Sequence, residues 1–214
     1  MVEQLSVAQA WAMSQLGKAL IVDLREPSKF ALGHPKGALS LPFSQKGLEE
    51  RLAVLVRGGT PVILVAENAD QAETALAQLS ARAVSGLCIV EGSMSSWNEN
   101  DLPLEILAEV SVHEVTAALA DGNTVLLDVR EPIEWDLGHV PGAILISLGD
   151  LRERLHEVPR EPRVAVICEA GVRSSSAASI LQAAGFVDVV NVSEGTAGFR
   201  NAGIPLQIPD VRSG

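Results

Sequence analysis

The sequence has no tyrosine, and aromatic residues make up only 3% of its 214 residues. Its core must therefore rest on Val, Leu, Ile and Ala, which a hydrophobic share of 47% supplies. Long apolar runs are missing as well. None approaches the ~18 residues that cross a bilayer. Met1 to Ala12 also lacks the basic-then-apolar pattern of a secretory leader. A soluble cytoplasmic protein with no membrane partner is the expectation. A basic surplus is absent too. The net charge is -11, with 8 basic and 12 acidic groups in residues 1–105 and 8 and 15 in residues 106–214. Phosphate backbones need the opposite balance, so nucleic acid is not an expected partner. Cysteine is scarce. Cys88 and Cys168 belong to no CxxC pair and stand at no metal-ligand spacing with histidine, which argues against a zinc module.

What the sequence does have is a repeat. DLREPSKFALGHPKGALSLP (23–42) returns as DVREPIEWDLGHVPGAILIS (128–147) at an offset of 105, with nine of twenty positions identical. Ser6-Val7-Ala8-Gln9 matches Ser111-Val112-His113-Glu114 at the same offset. Both fit the S-x-x-E/Q box that starts a helix. Glu91-Gly92 through Leu102-Pro103-Leu104 parallels Glu194-Gly195 through Ile204-Pro205-Leu206. Two copies of one domain follow, at 1–105 and 106–214, with a seam near Glu105 to Val110.

Each copy alternates helix and strand. Capped helices are predicted at 6–16 and 111–121. Short apolar runs at Ala19–Leu24, Thr124–Val129, Val62–Ala66 and Val164–Cys168 read as buried parallel strands. The G-H-x-x-G-A segment reads as a turn leading into another short strand. Helices follow at 71–82 and 173–184, with Gly185 capping the second. Gly86–Val90 and Val187–Val192 supply the last strands. The fold class is α/β, with a largely parallel central sheet flanked by helices in each copy.

Ligands gather at the carboxyl ends of strands in open parallel sheets, and Cys168 stands at such an end. After it come Glu169, Ala170, Gly171, Val172 and Arg173, then a helix opening on Ser174, Ser175 and Ser176. The helix N-terminus offers free N–H groups. Gly171 lets the loop turn its amides inward as an anion nest, and Arg173 brings a permanent charge. Each favours a thiolate at Cys168, a nucleophile for covalent catalysis. The loop from Glu169 to Ser174 is the candidate binding cradle. Cys88, inside the apolar stretch Gly86 to Val90, reads as inert packing.

The order D-V-R-E-P, G-H-V-P-G-A, C-x-x-G-x-R-S and an E-G segment closing on G-I-P-L resembles the rhodanese family over nearly all of residues 111–206. Residues 6–104 resemble it too. The resemblance implies tandem rhodanese-like domains and transfer of a sulfane sulfur through a cysteine persulfide. The donor would be thiosulfate or a persulfide. The acceptor would be cyanide or a thiol, a protein thiol included, and no metal or organic cofactor is needed. Phe199 stands where the family usually has Trp. Glu169 places a negative charge beside the sulfur, which should oppose a doubly charged donor such as thiosulfate. A cysteine phosphatase is the rival enzyme, but its loop is C-x5-R, whereas Cys168 to Arg173 is C-x4-R, a tighter ring suited to one sulfur atom. A non-catalytic binding module or a protein sulfur relay is the rival from another class.

The first copy lacks this apparatus. Ala66 stands opposite Cys168, Gln71 opposite Arg173, and Asn68-Ala69-Asp70 replaces Ala170-Gly171-Val172, while Glu67 and Asp70 add negative charge. It reads as non-catalytic. Because this copy nonetheless keeps His34, the counterpart of His139, both histidines read as structural. Asp128, Arg130 and Glu131 read as a network that fixes the turn, and Trp11, Trp97 and Trp135 as packing.

Overall fold

The computed structural model describes residues 3–80, 87–90 and 94–209, with residues 3, 80 and 87–90 described by backbone alone. The chain divides into two compact units between Leu107 and Ala108.

The first unit runs β1 (Glu3–Leu5), α1 (Val7–Gln15), β2 (Leu20–Asp23), α2 (Pro27–Leu32), β3 (His34–Pro35), β4 (Leu39–Ser40), α3 (Leu48–Leu55), β5 (Val62–Val65), α4 (Ala69–Ser80), β6 (Leu87–Val90), α5 (Met94–Glu99) and β7 (Leu104–Glu105). The second runs β8 (Ala108–Val110), α6 (Val112–Ala120), β9 (Thr124–Asp128), α7 (Pro132–Asp136), β10 (Ile144–Leu145), a 3-10 turn (Leu155–Glu157), β11 (Arg163–Ile167), α8 (Val172–Ala183), β12 (Val189–Val192) and α9 (Gly195–Asn201).

The two five-stranded sheets share one topology, and β3 pairs with β7 in a small antiparallel sheet. The strand orders are β1-β6-β5-β2-β4 and β8-β12-β11-β9-β10, and every pairing within them is parallel. The edge strands β1 and β8 were not foreseen. At three residues each, they are too short to show an alternation. The helix starts fall where the boxes place them. Ser6 Oγ accepts from Gln9 N at 3.3 Å, and Ser111 Oγ from Glu114 N at 3.2 Å.

Successive strand residues face opposite sides of a sheet. In the second unit Leu126, Ala165, Ile167, Val190 and Val192 pack with Val112, Val115 and Phe199 of α6 and α9. The alternate residues Val164, Val166 and Asn191 are buried as well. A sheet covered on both sides needs the near-continuous apolar strands that the sequence carries.

The shared turn motif builds the same device twice. Asp128 ends β9, and its carboxylate takes Arg130 Nε at 3.0 Å and Nη2 at 2.7 Å. Arg130 Nη2 also donates to Gly138 O at 3.0 Å. Asp23, Arg25 and Gly33 repeat the arrangement at 2.6–3.1 Å. The Arg130 side chain is 2% exposed, so it ties the turn together rather than meeting a ligand. His139 stacks on Trp135 at 3.7 Å and His34 on Phe30 at 3.6 Å. Nδ1 of each histidine faces the carbonyl of its stacking partner. Burial pushes the His34 imidazole below its usual range, with the Phe30 carbonyl opposing. Trp97 is fully buried and meets Trp11 edge-on at 6.5 Å. The histidines and these tryptophans are packing elements, as expected. The Cys88 side chain lies outside the described residues.

Candidate active site

Sheet order reverses at β9 and β11. The chain leaves β9 toward β10 on one side and returns to β11 on the other. The carboxyl ends of these neighbours adjoin at the switch point, where open parallel sheets hold ligands. Ile167 pairs with Asp128, and Val129 N donates to Ile167 O at 2.9 Å. Cys168 is the next residue. It is 1% exposed, and its Sγ lies 3.3 Å from Ser174 Oγ, which is itself buried.

The loop curls from Cys168 into α8. Gly171 precedes the helix at φ +81°, in the left-handed region. Among the described residues, the amides of Glu169 through Ser174 donate to no protein acceptor. Six N–H groups of the loop thus remain without a protein acceptor at the positive end of a twelve-residue helix, with the Ser174 hydroxyl beside the sulfur.

The loop carbonyls, in contrast, are taken from behind. Cys168 O accepts from Thr196 N at 2.8 Å and Glu169 O from Ala197 N at 3.1 Å, both on α9. Gly171 O accepts from Asn191 Nδ2 at 3.3 Å, and the same amide reaches Glu109 Oε1 at 3.4 Å. Gly195 presses against the loop so closely that a Cβ there would fall 2.2 Å from Glu169 O. Thr196, Gly195 and Asn191 therefore fix the backbone of the loop. The sequence did not show this role for any of the three, because their partners lie 20 or more residues away.

Two loop residues have partners that the sequence did not show. Arg173 was expected close to the sulfur, and the Cys168 charge does act on it. Both its terminal nitrogens also bond Glu134 of α7, at 2.6 Å each. A bidentate carboxylate matches the planar guanidinium fork. Glu134 is pre-set for this role, since its Oε2 also accepts from Glu131 N at 3.1 Å and its carbonyl from Arg130 Nη1 at 3.3 Å. The Arg173 guanidinium holds the Glu134 carboxyl down at about 2. Glu169 was expected to place a negative charge beside the sulfur. It is ion-paired with Arg200, and its other oxygen accepts from Thr196 Oγ1 at 2.7 Å. Ala170 is exposed at the loop tip, Val172 is 39% exposed and Gly171 is buried.

The first unit offers a direct contrast. Val65 pairs with Asp23 as Ile167 pairs with Asp128, so Ala66 occupies the Cys168 position. Two of its loop amides are taken by its own side chains. Gln71 Oε1 accepts from Glu67 N at 2.7 Å, and Asn68 Oδ1 accepts from Gln71 N at 2.9 Å.

No helix among the described residues is long and apolar enough to cross a membrane, and no cluster there could hold a metal ion.

The family model for the rhodanese-like domain matches residues 6–100 and again residues 111–202. The putative sulfur carrier protein YrkF of Bacillus subtilis is 36% identical over 104 residues, 49% of this chain and 54% of YrkF. A sulfurtransferase of Allochromatium vinosum is 30% identical over 103 residues, 48% of this chain and 96% of that protein. A thiosulfate sulfurtransferase structure from Pseudomonas aeruginosa aligns with a TM-score of 0.44 at 25% identity, over 96% of this chain and 43% of that one. The chain spans about half the length of YrkF and 18% of the probable adenylyltransferase/sulfurtransferase MoeZ of Mycobacterium tuberculosis, with which it is 42% identical over 72 residues. With both halves matched by the same model, the chain belongs to the rhodanese-like domain family and carries two copies of that domain.

Proposed function

We propose that the second unit is a sulfurtransferase in which Cys168 carries the sulfur as a persulfide, and that the first unit is non-catalytic. One observation carries this reading. The Cys168 sulfur faces the Ser174 hydroxyl at 3.3 Å and begins a loop whose amides from Glu169 to Ser174 have no protein acceptor. Donors preorganised around a site of negative charge stabilise that charge without reorganising.

In the first half-reaction the Cys168 thiolate attacks the outer sulfur of the donor. A new S–S bond forms to Cys168 as the donor's own S–S bond breaks. With thiosulfate, sulfite leaves with the bonding pair; with an organic persulfide, a thiolate leaves. In the second half-reaction an acceptor such as cyanide or a thiol attacks the terminal sulfur. The Cys168–S bond breaks and its electrons restore the thiolate. Charge and electrons balance in both halves, and no further oxidant or reductant enters. The loop from Glu169 to Ser174 cradles the terminal sulfur in between. The names of relatives, a sulfur carrier and sulfurtransferases, support the same chemistry.

The first unit has Ala66 at the nucleophile position and a loop closed by Gln71 and Asn68, which supports a supporting rather than a reacting role. The test is steady-state kinetics of thiosulfate or persulfide donors with cyanide or thiol acceptors. Parallel double-reciprocal lines, abolished in Cys168→Ala, fit a persulfide intermediate. Turnover that survives Cys168→Ala contradicts it.

A further inference from the structure

Two guanidinium groups flank the Cys168 loop, and each is already matched by a carboxylate. Arg173 is clasped by Glu134 at 2.6 Å through both terminal nitrogens. Arg200 is paired with Glu169. Neither pair is buried. Side-chain exposures are 34% and 29% for Arg173 and Glu134, and 50% and 42% for Arg200 and Glu169. Solvent and a donor can reach both pairs.

Arg173 stands within electrostatic reach of the sulfur. Its guanidinium is held further above its usual range by Glu134 first, with the Cys168 charge a lesser contributor. Its charge would attract an anionic donor if nothing cancelled it. The helix position that supplies Glu134 is built to touch this loop. In the first unit Lys29 occupies the equivalent place on α2 and reaches Glu67 of the corresponding loop at 2.5 Å. The reach belongs to the fold, and the residue chosen sets the charge.

We propose that Glu134, with Glu169 as its counterpart on the other flank, is a specificity-determining residue that cancels the guanidinium charge a dianionic donor would use, and so favours donors of low charge such as organic persulfides. This rests on the reading of Cys168 as the persulfide-bearing residue. Glu134 does not touch the reacting atoms. It acts through Arg173, and its effect scales with the charge of the donor rather than with the chemistry of the step.

The test uses the full chain and two donors of the same sulfane chemistry, thiosulfate with charge -2 and methanethiosulfonate with charge -1. Glu134→Gln keeps hydrogen-bonding capacity and removes the negative charge. It is expected to raise kcat/KM for thiosulfate relative to methanethiosulfonate by about tenfold, through KM, with the gain shrinking as salt is added. The double variant Glu134→Gln/Arg173→Gln should return the ratio toward wild type, since no uncompensated cation remains. An unchanged ratio, or an equal fall with both donors, overturns the specificity role while leaving Cys168 as sulfur acceptor. Failure of wild-type Cys168 to take sulfur from either donor overturns the underlying reading, and this inference with it.

Discussion

Gly171 and Ser193 are in such close approach that a Cβ on residue 171 would lie 2.2 Å from the Ser193 carbonyl oxygen and 2.9 Å from its carbon. Both obstacles are backbone and neither can swing aside. The glycine also sits at φ +81°, which side chains rarely adopt. The loop that carries Cys168 can take this course only because residue 171 has no side chain.

Gly171→Ala should therefore destabilise the second unit by about 3 kcal/mol or more, or push the loop out of shape at smaller cost. Chemical denaturation measures the first outcome. Loss of sulfur loading in a still-folded protein reveals the second. A variant as stable and as readily loaded as wild type would contradict the account.

The Glu134–Arg173 clasp has a defined acid limit. Glu134 is lowered from an ordinary 4.5 to about 2, chiefly by its hydrogen bonds to Arg173. A carboxyl lowered on folding adds stability that is fully present above pH 4.5 and lost as pH falls through about 2. Because the pair is partly exposed, the contribution is about 1 kcal/mol after solvent screening. Stability measured from pH 5 to pH 2 should fall more steeply in wild type than in Glu134→Gln, the two curves converging at the acid end.

Restoring a cysteine to the first unit should not restore chemistry. Ala66→Cys would put a thiol at the end of β5, but Glu67 N and Gln71 N are already occupied by Gln71 and Asn68 side chains. Lys29 also holds Glu67. Mass measurement in a Cys168→Ala background should find no sulfur retained at position 66. Replacing residues 66–71 as a block with Cys-Glu-Ala-Gly-Val-Arg is the change expected to open the cradle. Efficient loading of the single variant would contradict a need for free loop amides.

Much of this molecule was legible before folding, for physical reasons. The turn that begins at Asp23 and Asp128 needs an aspartate, an arginine two residues on and a glycine eight beyond that, so its spacing survives in both copies. Capping boxes are local, and Ser6 and Ser111 start their helices where the pattern says. Cys168 fell at a strand end because Val164 to Ile167 is an uninterrupted buried run. What escaped was tertiary. Nothing within a local window shows that Arg173 will meet Glu134 from 39 residues away. Nor does it show that Arg200 will neutralise Glu169 across 31 residues, or that Gly195 will back the loop. The charge reversal between Lys29 and Glu134 was the one visible hint. It gains meaning only once the two loops are seen beside their helices.

The most direct measurement is peptide mass mapping of the full chain after exposure to thiosulfate or methanethiosulfonate, before and after cyanide. One additional sulfur atom on the peptide bearing Cys168, absent from the peptide bearing Cys88 and removed by cyanide, is the predicted result. An unmodified Cys168 peptide, or sulfur that remains bound in the Cys168→Ala protein, would contradict it.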